Sequence, residues 1–297
     1  MSSLLAAQRM AKCLDGPVQQ CYARAVAQGA LLFTESSVYK HREQGVVFEV
    51  RFVPALAKKP SSKPKEKQHA KDFVDPFLPY DERLHVRQLG EAHHLLLNKY
   101  CVVPHHLLIT TAEFRQQGEP LSEADFAAVL DTIGSLSSRN IVFYNSGEES
   151  GASQPHKHLQ ILPMPEYLEM PPSIGLWLQS SPPVGSVFTS ERLPFAHFGV
   201  LFGEAQLTPP AVATAYQAAL GEQTAAYGPG CSYNMIMTRS AMVLFPRRQS
   251  SWHGIAINSL GFAGLVLAKT KDEQEFLDRF GILHILACVG FPRAEAQ

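Results

Sequence analysis

The chain has 297 residues, 45% hydrophobic and 18% charged, an ordinary globular composition with enough apolar residues for a sizeable core. Its net charge is −1 with twelve histidines counted neutral, which argues against binding driven by an overall field for nucleic acid or an anionic membrane and leaves any nucleotide to local cations. Five scattered cysteines (Cys13, Cys21, Cys101, Cys231, Cys288), without a CxxC pair, argue against a disulfide framework or thiolate zinc site and fit a reducing compartment.

The opening MSSLLAAQRMAKCLDG has no continuous apolar run with a cleavage pattern. No window approaches the roughly 18 apolar residues of a membrane span. The expectation is a cytoplasmic protein. Helical spacing continues to about Gln28, with Gly29 as a stop. Gly45–Leu56 alternates like a half-buried strand, and the lysine-rich AKKPSSKPKEKQHAKDF after it reads as a solvated loop, with Lys59 the residue nearest the strand. His93–Thr111 reads as two strands joined around Asn98, Lys99 and Pro104. Leu121–Leu136 is an amphipathic helix capped by Ser122, with Asp125 in its first turn. Arg139–Asn145 is a strand, and another begins in HKHLQILPM. Residues 165–194, rich in Pro and Ser, are expected to hold little regular structure. PFAHFGVLF returns to strand, Pro209–Tyr227 is an Ala-rich helix, and SYNMIMTRSAMVLFPRR and SWHGIAINSLGFAGLVLAKT read as strands and turns. Helix resumes from Lys271 to at least Phe280. A faint echo between LLLNKYCVVPHHLLITT and YNMIMTRSAMVLFPRRQ suggests a duplicated unit.

The chemistry concentrates in YNSGEESGASQPHKHLQILP (144–163). Along a strand His156, His158 and Gln160 share one face, with Lys157 and Leu159 on the other. Packing in a half-buried sheet is one reading. Zinc chelation by His-x-His is a second, but it needs a third good ligand, and neither Cys nor Asp/Glu lies at a useful spacing. The third is nucleophilic attack by a neutral imidazole on phosphorus in a nucleoside polyphosphate. That reading also uses the Gly-Ala-Ser turn, whose small side chains let backbone N–H groups approach phosphate oxygens, so it accounts for the whole stretch. His93, His94, His105 and His106 read as surface or turn residues, His197 as a residue behind the site, His253 as a cover for one edge, and Phe195 and Phe198 as core.

With those residues in view, the sequence resembles diadenosine tetraphosphate phosphorylases (ATP adenylyltransferases), a branch of the histidine-triad superfamily related to galactose-1-phosphate uridylyltransferase. The resemblance extends through AKKP (57–60), DPF (75–77), LLLNKYCVVPHHLLIT, FAHF (195–198), SYNMIMT and INSLGFAGLVLAKT, in order from about residue 45. It implies an α+β, histidine-triad-like fold, internally duplicated, with a mainly antiparallel sheet flanked by helices. The chain is then one catalytic unit over 1–297, with a histidine-bearing half at 45–170 and a half at 195–290 that completes the nucleotide site. It implies His158 as nucleophile and His156 orienting strand and phosphate. Asn145, Gly151, Ala152, Ser153, Gln154 and Gln160 match nucleotide-binding positions, as do Asn98, Lys99 and Lys59. Asn258, Ser259, Leu260, Leu265 and Lys269 match positions that close over the nucleotide. Leu260 stands where relatives can have Thr, which leaves only a backbone contact there.

The implied substrates are dinucleoside polyphosphates, ATP, ADP and inorganic phosphate. No covalent cofactor is expected, any Mg2+ would bind through substrate phosphates, and the duplicated chain is expected to be a monomer. Gln160 stands where hydrolytic relatives carry His; an amide cannot exchange protons near neutral pH, which favours transfer to phosphate over water. A hexose-1-phosphate uridylyltransferase is the alternative enzyme, although those resemble HPH and this chain has HKH. A nucleotide sensor without turnover is the alternative outside enzymes.

Overall fold

The structure is a computed structural model that describes residues 13–56 and 74–293. Lys59, the lysine-rich run and the residues before Cys13 lie outside the described residues. Helix α1 (Asp15–Ala27) buries Val18, Cys21 and Ala25 at helical spacing, and Gly29 follows it with a φ of +63° that favours glycine. Strands β1 (Leu32–Phe33), β2 (Ser37–Glu43) and β3 (Val46–Phe52) come next. Then follow β4 (His85–Leu89), β5 (His93–Leu97), β6 (Tyr100–Cys101), β7 (Leu107–Thr111) and helix α2 (Glu123–Gly134). Ser122 caps α2 and Asp125 reciprocates, as the sequence requires of a capping box. Strands β8 (Asn140–Ser146) and β9 (His158–Pro163) follow; β9 holds His158 and Gln160, whereas His156, expected on the same strand, lies in the loop before it, tied to Gln116 by an isolated bridge.

The stretch 165–194 is more regular than its composition suggested. It contains helix α3 (Pro172–Leu178) and strand β10 (Val187–Phe188), because Ile174, Leu176 and Trp177 have a core to enter. Strand β11 (Phe198–Leu201), helix α4 (Pro209–Tyr227) and the hairpin of β12 (Tyr233–Met237) and β13 (Ala241–Pro246) follow. After β14 (Ser251–Trp252) and β15 (Ile255–Ala256), the expected strand is interrupted by the short helix α5 (Ser259–Phe262), whose Leu260 N–H is capped by Asn258. Strand β16 (Leu265–Ala268) and helices α6 (Lys271–Phe280) and α7 (Ile282–Val289) complete the described chain.

Nine strands form one antiparallel sheet in the order β10-β11-β13-β12-β8-β9-β7-β5-β4. Two halves meet at β8 and β12, and each contributes a strand, a helix and two strands, β7-α2-β8-β9 and β11-α4-β12-β13. The duplication is real, but the echo seen in the sequence is displaced: β12–β13 corresponds to β8–β9, not to β5–β7. The 11-residue histidine loop hides the match, since the equivalent link between β12 and β13 is a turn over 238–240. Strand β13 (AMVLFP) carries no histidine, so the two halves differ at the position of the motif.

Strand alternation sends side chains to two cores. One lies under α1, α2 and α4, with Leu159, Ile161, Tyr144 and Met235. The other lies under α3, α5, α7 and the small β2-β3-β16 sheet, with Phe143, Leu162, Phe195 and Ile236. Among the described residues no helix is long and apolar enough to cross a membrane.

Candidate active site

Cross-strand register fixes where the motif points. Gln160 lies opposite Phe143 on β8 and Leu108 on β7, and His158 lies opposite Thr110. These side chains occupy the face of the second core, whereas Leu159 packs into the first. Lys157 also points the other way, donating to Asp125 Oδ2 at 2.8 Å.

His158 is 4% exposed. Its Nδ1–H donates to the carbonyl of His156 at 2.8 Å, which assigns the proton to Nδ1 and leaves a lone pair on Nε2. Burial depresses its pKa to about 4, further lowered by the neighbouring His156 ring and opposed by the hydrogen bond to the His156 carbonyl. The ring is therefore neutral at physiological pH. Its backbone is held by Gln117, and Phe77 packs at 5.4 Å between ring centroids. Thr110 Oγ1, across the strand, is buried and has no hydrogen-bond partner among the described residues.

His156 is fully buried, and both of its nitrogens are taken. Nδ1–H donates to Asp75 Oδ2 at 2.8 Å, and Nε2 lies 3.0 Å from the Thr111 carbonyl and 2.9 Å from its hydroxyl. His156 thus fastens the 75–77 segment, and Phe77 with it, to the edge of β7. This geometry suits orienting the strand and offers no ring nitrogen to a phosphate.

His106 departs from its surface reading. It is 7% exposed, and its Nε2 lies 3.0 Å from Gln160 Oε1 while its Nδ1 lies 3.2 Å from Asn98 Nδ2. His93 is likewise buried, donating to Asp125 at 2.8 Å behind the sheet. His197 is a buried brace: it donates to the Phe195 carbonyl and accepts from the Ser190 N–H. His253 packs beside Trp252 and Phe276.

The β8–β9 loop is shaped by two glycines with positive φ, Gly147 at +85° and Gly151 at +75°. A Cβ on Gly151 would lie 2.7 Å from the Ile257 carbonyl oxygen, so the loop rests directly on the segment before α5. Asn145 is a brace at this junction. Its Oδ1 accepts from Asn234 Nδ2 at 2.9 Å and from the Ser259 N–H at 2.9 Å, and lies 2.7 Å from the Ser259 hydroxyl. Behind them the buried Arg247 donates to the carbonyls of Ser150 and Ile257 and to the Asn234 side chain. Burial lowers its pKa to about 9, opposed by the charge of Glu149.

The fold therefore brings His156, His158, Gln160, Asn98 and the 145–154 loop together with Asn258 and Ser259. Ala152 and Gln154 are half-buried and Ser153 is exposed at the loop's rim. Leu260 packs partly against the second core, Leu265 is buried at the start of β16, and half-buried Lys269 follows that strand. Lys99 is exposed beside the Tyr100 ring. Gln117, Asp75, His106, Asn234 and Arg247 were given no role from the sequence. Asp75 and Asn234 lie in the family-like segments DPF and SYNMIMT, and His106 is two residues from Leu108 and four from Thr110, the period that puts it on the His158 face.

Comparison with known proteins bears on the family and the fold. Residues 6–174 match the model of the Ap4A phosphorylase N-terminal domain and residues 191–292 that of the ATP adenylyltransferase C-terminal domain. The chain is 30% identical to Saccharomyces cerevisiae diadenosine 5',5'''-P1,P4-tetraphosphate phosphorylase 2 over 319 aligned residues, covering 96% of each protein. It is 28% identical to Protein APA1 of the same yeast, covering 93% of this chain and 94% of that one. The crystal structure of yeast Ap4A phosphorylase Apa2 in complex with AMP superposes with a TM-score of 0.82 at 29% identity, covering 96% of this chain and 98% of that one. The Apa2 complex with Ap4A gives 0.81 at 28%, covering 94% and 97%. With both family models matched in order along one chain, and a relative 30% identical over nearly the full length of both proteins, this chain belongs to the Ap4A phosphorylase family.

Proposed function

We propose that this protein is a nucleotidyltransferase that splits diadenosine tetraphosphate with inorganic phosphate, reversibly, into ATP and ADP. The observation that carries the reading is the state of His158: a neutral ring with Nδ1–H fixed on a carbonyl and a lone pair on Nε2. Nε2 attacks the α-phosphorus of one adenosine moiety. A nitrogen–phosphorus bond forms, the bridging phosphorus–oxygen bond breaks, and ATP leaves with the electron pair. The ring then carries a positive charge, which the His156 carbonyl stabilises through the Nδ1 proton. A phosphate oxygen next attacks the adenylyl-histidine, the nitrogen–phosphorus bond breaks, and ADP leaves as the ring returns to neutrality. Two displacements give ping-pong kinetics and retention at phosphorus.

The Gly151–Gln154 turn and Asn145 line the nucleotide side, Asn258 closes it while the fully buried Ser259 braces Asn145 from behind, and Gln160 donates its amide to the transferred phosphoryl group. Lys59, Lys99 and Lys269 offset the polyphosphate charge. Magnesium enters on the substrate phosphates, which needs no dedicated protein cage. One chain supplies both halves of the sheet, which supports a monomer, and five free thiols support a reducing, cytoplasmic setting.

The deciding assay incubates the protein with diadenosine tetraphosphate with and without phosphate. ATP and ADP in its presence alone, with an acid-labile adenylate on His158 that is absent from His158→Asn, is the expected result. Equal nucleotide release without phosphate would make the protein a hydrolase.

A further inference from the structure

The side chains of Asn98, His106 and Gln160 form a hydrogen-bonded chain whose directions can be fixed from one unambiguous donor. The backbone N–H of Tyr100 donates to Asn98 Oδ1 at 3.0 Å, so the oxygen end of that amide is identified. Asn98 Nδ2 must then be the end facing His106 Nδ1 at 3.2 Å, which makes Nδ1 an acceptor. The single proton of a neutral His106 therefore sits on Nε2 and is donated to Gln160 Oε1 at 3.0 Å. With its oxygen engaged on that side, Gln160 presents its NH2 group to the open side of the strand, where His158 stands two residues earlier on the same face.

We infer that Asn98 and His106 are positioning residues that lock the amide of Gln160 in its donor-outward orientation. The inference rests on the reading of Gln160 as a ligand of the transferred phosphoryl group. An amide is nearly symmetric in shape, and before substrate binds a free Gln160 would present its oxygen as readily as its nitrogen, so it would have to reorganise when the phosphoryl group arrives. The relay removes that choice before substrate arrives, and pre-orientation of a dipole is how a neutral group stabilises developing charge. It also gives Asn98 a task inside the protein, distinct from the nucleotide contact that the resemblance implies for it.

The test is a double-mutant cycle. His106→Phe should lower kcat about 10- to 100-fold with KM for the dinucleotide little changed, the scale of losing a hydrogen bond to a charged group. In a Gln160→Ala background the same substitution should cost less than about twofold, since nothing is left to orient. His106→Gln, which can still donate to Gln160 Oε1, should restore a large share of the rate. An equal loss in both backgrounds would overturn the relay. Nitrogen-15 shifts of His106 in the unaltered protein give an answer that needs no variant to fold: the ring proton belongs on Nε2, and finding it on Nδ1 would also overturn the relay. Absence of phosphate-dependent turnover in the unaltered protein would defeat the reading of the site instead, while the tautomer would still decide the relay.

Discussion

Gln117 bridges a gap in the sheet at His158: its Oε1 accepts from the His158 N–H at 2.8 Å, and its Nε2 donates to the His158 carbonyl at 3.2 Å and to the Asn145 carbonyl at 2.7 Å. Strands β8 and β9 pair from Asn140↔Pro163 to Phe143↔Gln160 and then separate. One side-chain amide substitutes for the ladder where the strands part, and the opening it spans is the one that His158 and the glycine loop occupy. Gln117→Leu keeps the bulk and strands these buried backbone groups. Such a loss costs about 1–3 kcal/mol. We expect the urea midpoint to fall and kcat to drop about tenfold or more as the His158 ring loses its aim. Unchanged turnover would show that β9 holds its position without the bridge.

The pH response follows from buried neutral imidazoles. Burial is the main cause that depresses His158, His106 and His197 to about 4 each. The unfolded chain takes up protons on these rings near pH 6.5, where the folded one does not. Their contribution to stability is therefore complete above about pH 6.5 and is lost as pH falls toward 4. Denaturant midpoints measured from pH 7.5 down to 4 should decline through that window. Because protonation removes the Nε2 lone pair, the acid limb of turnover by folded enzyme should centre near 4; a limb near 6.5 would contradict the burial of His158.

Asp125 is a structural anchor on the opposite face of the sheet from His158. Burial alone would raise its pKa, but hydrogen bonds from His93 and Lys157, the Lys157 charge and the Ser122 N–H hold it well below the ordinary carboxylate range. Asp125→Asn leaves Lys157 buried without a counter-charge, and breaking a buried pair this way costs about 3–5 kcal/mol. The variant should unfold at clearly lower urea, and its folded fraction should retain kcat, since Lys157 and Asp125 lie behind β9. A kcat loss without a stability loss would place the pair in the chemistry.

Gly151 and Gly221 separate a glycine the site requires from one it does not. Gly151→Ala adds a methyl group 2.7 Å from the Ile257 carbonyl at a φ of +75°, so the loop must leave α5. Turnover should fall at least tenfold by the sensitivity of catalysis to misplacement of about 1 Å. Gly221 sits inside α4 with open space around it, and Gly221→Ala should stabilise by roughly 0.5–1 kcal/mol with activity unchanged. Parallel thermal melts and rate assays distinguish the two.

Much of this architecture is written locally. Ser122 with Asp125 sets the start of α2, two-residue alternation puts His156, His158 and Gln160 on one face, and Pro209–Tyr227 forms the helix that its composition announces. The errors share a cause: burial is a property of neighbours. His93 and His106 look like turn residues because their partners are distant in the chain, Asp125 for one and Gln160 for the other. Residues 172–178 looked irregular because their helix is stabilised by the core that receives Trp177.

The sequence by itself determined the shared face of His156, His158 and Gln160 and the small-residue turn before them, since these depend on spacing within one short stretch. Tertiary structure alone decided which nitrogen of His158 is free, which way Gln160 presents its amide, and that Asn145 and Ser259 clasp each other across 114 residues. Those outcomes are set by hydrogen bonds between groups far apart in the chain, and only the closed sheet brings their partners within reach.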